Sequence, residues 1–139
     1  MFLKILLAAD GSEHSVRAAE HTVRLIAGQA EGFVTVVYAV DGSTSKSDVL
    51  HNNSETEIAI SRKEKLKNVF GVLESANIKY ELKIIHGDPG EAITEYANKQ
   101  YFDCLVIGSR GLNRLQSMVL GGVSHKVAKR AKCPVMIVK

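Results

Sequence analysis

The sequence predicts an α/β fold: one doubly wound domain over residues 1–139, with a five-stranded parallel sheet of order 3-2-1-4-5 and helices on both faces. Three observations predict it. Short apolar runs alternate with amphipathic stretches along the chain, so the strands are joined by helical crossovers. Several of the strand candidates are almost wholly apolar, as strands covered on both faces must be. At 139 residues, 45% hydrophobic and 24% charged, the chain can fill one packed core and lies far from disordered composition.

The first strand is "FLKILLAA", residues 2–9. Its apolar run is short, broken by Lys4, lacks a basic region before it and runs into Asp10, so a buried strand is expected rather than a signal peptide. "DGSEHS" then supplies turn and capping residues, with Ser12, Glu13 and Ser15 at a helix start. Val16, Ala19, Val23 and Ile26 recur at helical spacing up to Gly28. "GFVTVVYAV" is β-branched and aromatic and makes the second strand. Residues 41–54, polar and turn-rich, are expected to form a surface loop. From Glu55 to about Ala76, Ile58, Leu66, Val69, Phe70 and Leu73 mark one face of a single longer helix.

"IKYELKIIH" gives the third strand. Pro89 and Glu91 suit the first turn of the helix that follows. "FDCLVIG" is the fourth strand, and Val123, Val127 and Ala131 place a last helix from Gly122 to Ala131. "PVMIVK" closes the chain as a fifth strand, with Pro134 fitting its first position. No apolar run approaches the roughly 20 residues that span a bilayer. Cys104 and Cys133 have no motif spacing, which suits buried, reduced thiols in a cytoplasmic protein.

Charge is segregated. Residues 108–139 hold seven basic side chains and no acidic one, while the first 107 hold 11 basic and 15 acidic. That asymmetry suits an anionic partner for the C-terminal third, although charge alone favours a solvated helix face. In open α/β sheets a ligand lies beyond the carboxyl ends of the strands where the strand order reverses. The residues to weigh are therefore Asp10, Val40 and Asp41, Gly87 and Asp88, and the Gly108–Gly111 loop. Strands one and four flank the reversal, which singles out Asp10 and that loop.

"GSRG" at 108–111 is separated by nine residues from "GGVS" at 121–124. It is neither a Walker A loop nor a dinucleotide G-x-G-x-x-G fingerprint. Glycines allow backbone amides to approach a ligand, and a helix beginning near Gly122 directs its positive end at an anion. Spacing alone leaves a plainer reading equally open, in which Gly108 ends a strand and Gly121 and Gly122 start a helix.

These blocks resemble the G-x-x-G-x9-G-[ST] nucleotide-binding motif of the universal stress protein family, in its ATP-binding branch. "ILLAADGSEHS", "VVYAVD", "HGDPGEAI" and "CPVMIVK" resemble further blocks of that family, in family order over the whole chain. The resemblance implies an adenine nucleotide, ATP or else AMP or ADP, with Mg or Mn as an optional companion. It places Ala8, Ala9 and Asp10 beside the adenosine, and the backbone of Val40 at the adenine. Ile107, Gly108, Ser109, Arg110 and Gly111 would follow the ribose and phosphates, and Gly121, Gly122, Val123 and Ser124 would grip the phosphate tail. For Asp10, ribose hydrogen bonding, a metal-water contact and a helix cap all remain open. Gly122 stands where the family prefers Ser or Thr, which removes one hydroxyl donor.

No nucleophile–base spacing marks an enzyme; of the five histidines only His125, beside Ser124, is placed to touch a ligand. Lys126 and Lys129 are expected on a solvated face. Three functions stay open: a nucleotide-binding stress-response regulator with slow or no ATP hydrolysis, a nucleotide-hydrolysing enzyme of the same architecture, and a member acting through protein contacts alone. The partners implied are the nucleotide, a second copy of the chain paired along the edge strand, and client proteins. No membrane and no specific nucleic acid are expected.

Overall fold

The computed structural model of the chain describes residues 2–51, 54–110 and 122–139. Its elements are β1 (Lys4–Ala8), α1 (Glu13–Ile26), β2 (Phe33–Val40), α2 (Gly42–His51), α3 (Glu55–Lys65), α4 (Lys67–Ser75), β3 (Lys79–His86), α5 (Pro89–Lys99), β4 (Cys104–Gly108), α6 (Gly122–Arg130) and β5 (Val135–Val138). The strands form one sheet in the order β3-β2-β1-β4-β5, as expected. Every pairing is parallel; β1 runs from Lys4↔Phe33 to Ala8↔Val37 on one side and from Ile5↔Cys104 to Ala8↔Ile107 on the other.

Alternation along β1 assigns the two faces. Ile5 and Leu7 pack with Ala18 and Ala19 of α1, Leu66, and Val69 and Leu73 of α4, whereas Leu6 and Ala8 pack with Ile93 and Ala97 of α5 and Val127 of α6. Ile5, Leu6 and Leu7 are fully buried, so each contributes about 1.5–3 kcal/mol of transfer free energy. Helix α1 is capped by Ser12, whose Oγ accepts from the Ser15 amide at 3.3 Å. Its buried stripe is Ser15, Ala18, Ala19, Thr22 and Ile26, with the Thr22 hydroxyl donating to the Ala18 carbonyl at 2.8 Å. The small residues rather than Val16 and Val23 face the sheet most closely.

Two expectations are corrected. Residues 42–51 form helix α2 instead of a loop. Its Asp48 is buried, accepting from Arg62 Nε at 3.0 Å and Lys65 Nζ at 3.4 Å. Local composition does not report such partners 14 and 17 residues away. The single helix expected from Glu55 to Ala76 is two, broken at Leu66. Leu66 is fully buried, while α3 before it buries no residue; only α4 belongs to the core. The break thus falls at the residue where this stretch enters the core.

Asp103 fastens the start of β1 to the start of β4. Its Oδ2 accepts from the amides of Lys4 at 2.8 Å and Leu3 at 2.9 Å, and its own amide donates to the Lys4 carbonyl at 2.8 Å. These bonds, the Lys4 amide first, hold its carboxyl below the usual carboxylate range. A carboxyl lowered in the folded state stabilises fully above its unfolded pKa, and that contribution is lost as pH falls through the folded one. Asp103→Asn is therefore expected to lower the melting temperature near neutrality and to flatten its fall between about pH 5 and pH 2. A parallel fall in both proteins would mean that the Asp103 charge does not contribute.

Candidate functional site

The chain leaves β1 for α1 on one face and β4 for α6 on the other, so a cleft opens between their carboxyl ends. Its volume is about 200 Å³. Of the residues expected there, Ala8, Ala9, Asp10, Ile107, Gly108, Ser109, Arg110, Gly122, Val123 and Ser124 line it. Gly111 and Gly121 lie outside the described residues. Val40 does not line the cleft: it is buried behind the wall, and its carbonyl accepts from the Gly87 amide at 2.9 Å. Its flanking residues Ala39 and Asp41 line the cleft instead.

The turn after β1 is held by its own side chains. The Ser12 amide donates to Asp10 Oδ1 at 2.9 Å, and the Gly11 amide donates to Ser15 Oγ at 3.2 Å. Asp10 thus braces the turn while Ser12 serves as the cap of α1. Gly11 sits at φ +87°, and a Cβ there would lie 2.6 Å from the Lys65 carbonyl oxygen, so two constraints select glycine at this one position.

The end of β4 is equally crowded. A Cβ on Gly108 would lie 2.7 Å from the Cβ of His14 and 3.0 Å from its backbone carbon. Absence of a side chain lets α1 lie directly on the strand end. Next along the chain, the Ser109 amide donates to the Val138 carbonyl at 2.7 Å, and the Ser109 carbonyl accepts from Ser124 Oγ at 2.9 Å. That last bond ties the first turn of α6 to the strand-four loop across 15 positions of sequence. Ser124 is buried and its hydroxyl donates to the Ser109 carbonyl.

Sequence reasoning named neither Ser12, Ser15 nor Tyr38 as a wall residue, nor Pro89 and Ile93 of α5. Asp41 was legible from its place at a strand end; Pro89 and Ile93 depend on α5 crossing over that end, which no local pattern reports. His125 is exposed and does not line the cleft, whereas His14 stands with Nδ1 3.5 Å from Ser109 Oγ. Lys126 is not a merely solvated cation, since its Nζ lies 3.1 Å from Asp88 Oδ2. Among the described residues no group of three or more His, Cys, Asp or Glu could hold a metal ion.

The sequence pattern of the universal stress protein family matches residues 1–139. The chain belongs to the universal stress protein family. It is 32% identical to universal stress protein YxiE of Bacillus subtilis, with all of both chains covered. It is also 32% identical to universal stress protein MJ0531 of Methanocaldococcus jannaschii, covering all of this chain and 83% of that protein. Among solved structures, protein MJ0577 of the same archaeon superposes with a TM-score of 0.84 at 29% identity, covering 100% of this chain and 96% of that one. A family protein of Arabidopsis thaliana, solved with AMP bound, shares the fold at a TM-score of 0.68 and 23% identity, over 98% of this chain and 90% of that one.

As a universal stress protein the chain carries its cleft on an all-parallel sheet of order 3-2-1-4-5. Its two cysteines are unpaired among the described residues, and burial pushes both thiols up. No described helix is long and apolar enough to cross a membrane.

Proposed function

We propose that this universal stress protein binds ATP in the cleft between β1 and β4 and acts as a cytoplasmic stress-response regulator, with hydrolysis slow or incidental. The observation that carries the reading is the Ser124–Ser109 hydrogen bond, which sets the first turn of α6 beside the end of β4 at the cleft wall. The amides of that turn and the N-terminal end of the helix dipole favour an anion. Ala8, Ala9, Ala39 and Ile107 offer apolar surface suited to a base, and Asp10 and Asp41 offer carboxylates suited to ribose hydroxyls. Family neighbours solved with AMP, dAMP and cAMP support the ligand class.

Calorimetric titration with ATP, ADP, AMP and cAMP, together with mass spectrometry of the purified protein for carried-over nucleotide, tests this. Failure of all four to bind, with no nucleotide carried over, would leave protein contacts as the function. Gly122→Ser sharpens the test. Gly122 is exposed, and a Cβ there meets no heavy atom of the described residues within 4 Å, which leaves room for serine. The added hydroxyl is expected to tighten ATP by at most about 1–3 kcal/mol, the range for a hydrogen bond to a charged group. AMP should gain less, because only the longer tail reaches α6. Equal gains for both would mean that the serine acts as a helix cap alone.

The protein forms a homodimer along β5 in this reading. β5 pairs with β4 on one side only, and Val135, Met136 and Ile137 are each partly exposed. An apolar strand edge of this kind favours pairing with another copy. Val135→Asp is expected to sediment as a monomer with an unchanged circular dichroism spectrum. A dimer mass in that variant would place the interface elsewhere.

A further inference from the structure

The helices α5 and α6 both present their first turns to the cleft, through Pro89 on one and Gly122, Val123 and Ser124 on the other. Lys126 joins these two ends. Its stem lies over Gly90, where a Cβ would come 2.7 Å from Lys126 Cδ and 3.1 Å from Lys126 Cβ. Its Nζ reaches Asp88 Oδ2 at 3.1 Å and Glu91 Oε1 at 3.9 Å. Asp88 is also the cap of α5, with Oδ2 accepting from the Glu91 amide at 3.2 Å. Lys126 is the main reason the Asp88 carboxyl is held below the usual carboxylate range.

At the far end the Asn98 side chain bridges the same two elements, donating to the Arg130 carbonyl at 3.2 Å and accepting from the Lys132 amide at 2.8 Å. Helix α6 is thus fastened to α5 at both ends, and the fastening beside the cleft is a charged one. A lysine two residues beyond Ser124 is directed at a carboxylate pair on the neighbouring helix, not into the cleft.

We propose that Lys126 is a positioning residue: through Asp88, Glu91 and the bare backbone of Gly90 it aims the first turn of α6 at the phosphate end of the nucleotide. The proposal rests on the nucleotide reading above. It makes the Asp88–Lys126 pair a determinant of how well a long phosphate tail is held, and leaves adenosine binding to the β1 and β2 ends.

Three variants test it. Lys126→Met keeps the stem over Gly90 and removes the charge; Lys126→Arg keeps the charge; Asp88→Asn keeps a capping acceptor and removes its charge. Lys126→Met and Asp88→Asn are each expected to weaken ATP about two- to fivefold, the upper part of the range for a partly exposed pair. The double variant should be no worse than either alone. AMP should change less than about twofold, and Lys126→Arg should stay within about twofold of the unaltered protein for ATP. Tighter ATP binding in Asp88→Asn would overturn the proposal, because a lysine released from Asp88 would then be contacting phosphate itself. Equal weakening of ATP and AMP would overturn it too, as a general loosening of the fold.

Hydrogen exchange on the ligand-free protein separates the clamp from the ligand. Amides from Ser124 to Val127 should exchange faster in Lys126→Met, and unchanged exchange overturns the clamp whatever the nucleotide results. Faster exchange in a protein that binds no nucleotide would overturn the phosphate assignment together with the nucleotide reading, and leave a structural clamp.

Discussion

Gly11→Ala is expected to destabilise the protein by about 2–5 kcal/mol, while Gly28→Ala costs only about 1–2 kcal/mol. Both glycines have positive φ, +87° and +80°, so each substitution carries the left-handed penalty of an L-residue. Their surroundings differ. A Cβ at Gly28 meets nothing within 4 Å, whereas one at Gly11 lies 2.6 Å from the Lys65 carbonyl oxygen, a backbone atom at the end of α3 that cannot swing aside. The turn must therefore move, and the Ser12–Asp10 and Gly11–Ser15 bonds that shape the cleft wall move with it. Urea unfolding of the two variants measures the difference. Equal losses would show that the approach of α3 to the turn contributes nothing.

Gly108→Val is expected to lower stability by about 1–3 kcal/mol and, in the nucleotide reading proposed above, to weaken ATP binding, since an overpacked strand end displaces the groups beside it. The new Cβ would stand 2.7 Å from the Cβ of His14 and 3.0 Å from its backbone carbon. Relief requires α1 to retreat from β4, and Ser12 and Ser15 at its start line the cleft. His14→Ala should not rescue the variant, because alanine retains both the Cβ and the backbone in question. Rescue would mean that the imidazole, and not the helix backbone, limits the space at Gly108. Retained ATP affinity in Gly108→Val would remove the end of β4 from the binding site.

Much of the site was legible because glycines and turn residues at strand ends report backbone demands directly. Ala8 to Asp10, Ile107 to Arg110, and Gly122 to Ser124 were all expected and all line one cleft. Asp10 was open between ligand contact, metal water and capping; its Oδ1 braces the Ser12 amide, a local bond that a sequence can suggest but not choose. Ser124 was expected in the segment whose amides and hydroxyls grip the phosphate tail, and its hydroxyl donates to the Ser109 carbonyl. Spacing could bring Ser124 to the loop but could not say which acceptor its hydroxyl would find.

The sequence by itself determined the sheet and its parallel sense, because strands alternating with amphipathic crossovers pair in parallel; the order 3-2-1-4-5 was expected as one of the common doubly wound orders, and the structure has it. The sequence also determined the family, through short blocks kept in order over the whole chain. Only the tertiary structure decided the fate of residues 42–51, since their helix is held by an ion pair from Asp48 to Arg62 and Lys65. It alone decided the break at Leu66, the close approaches at Gly11 and Gly108, and the engagement of Lys126 by Asp88. The physical reason is common to all four. Periodicity and turn chemistry act between residues a few positions apart, whereas a buried charge, a missing Cβ or a clamped lysine takes its meaning from the element packed against it.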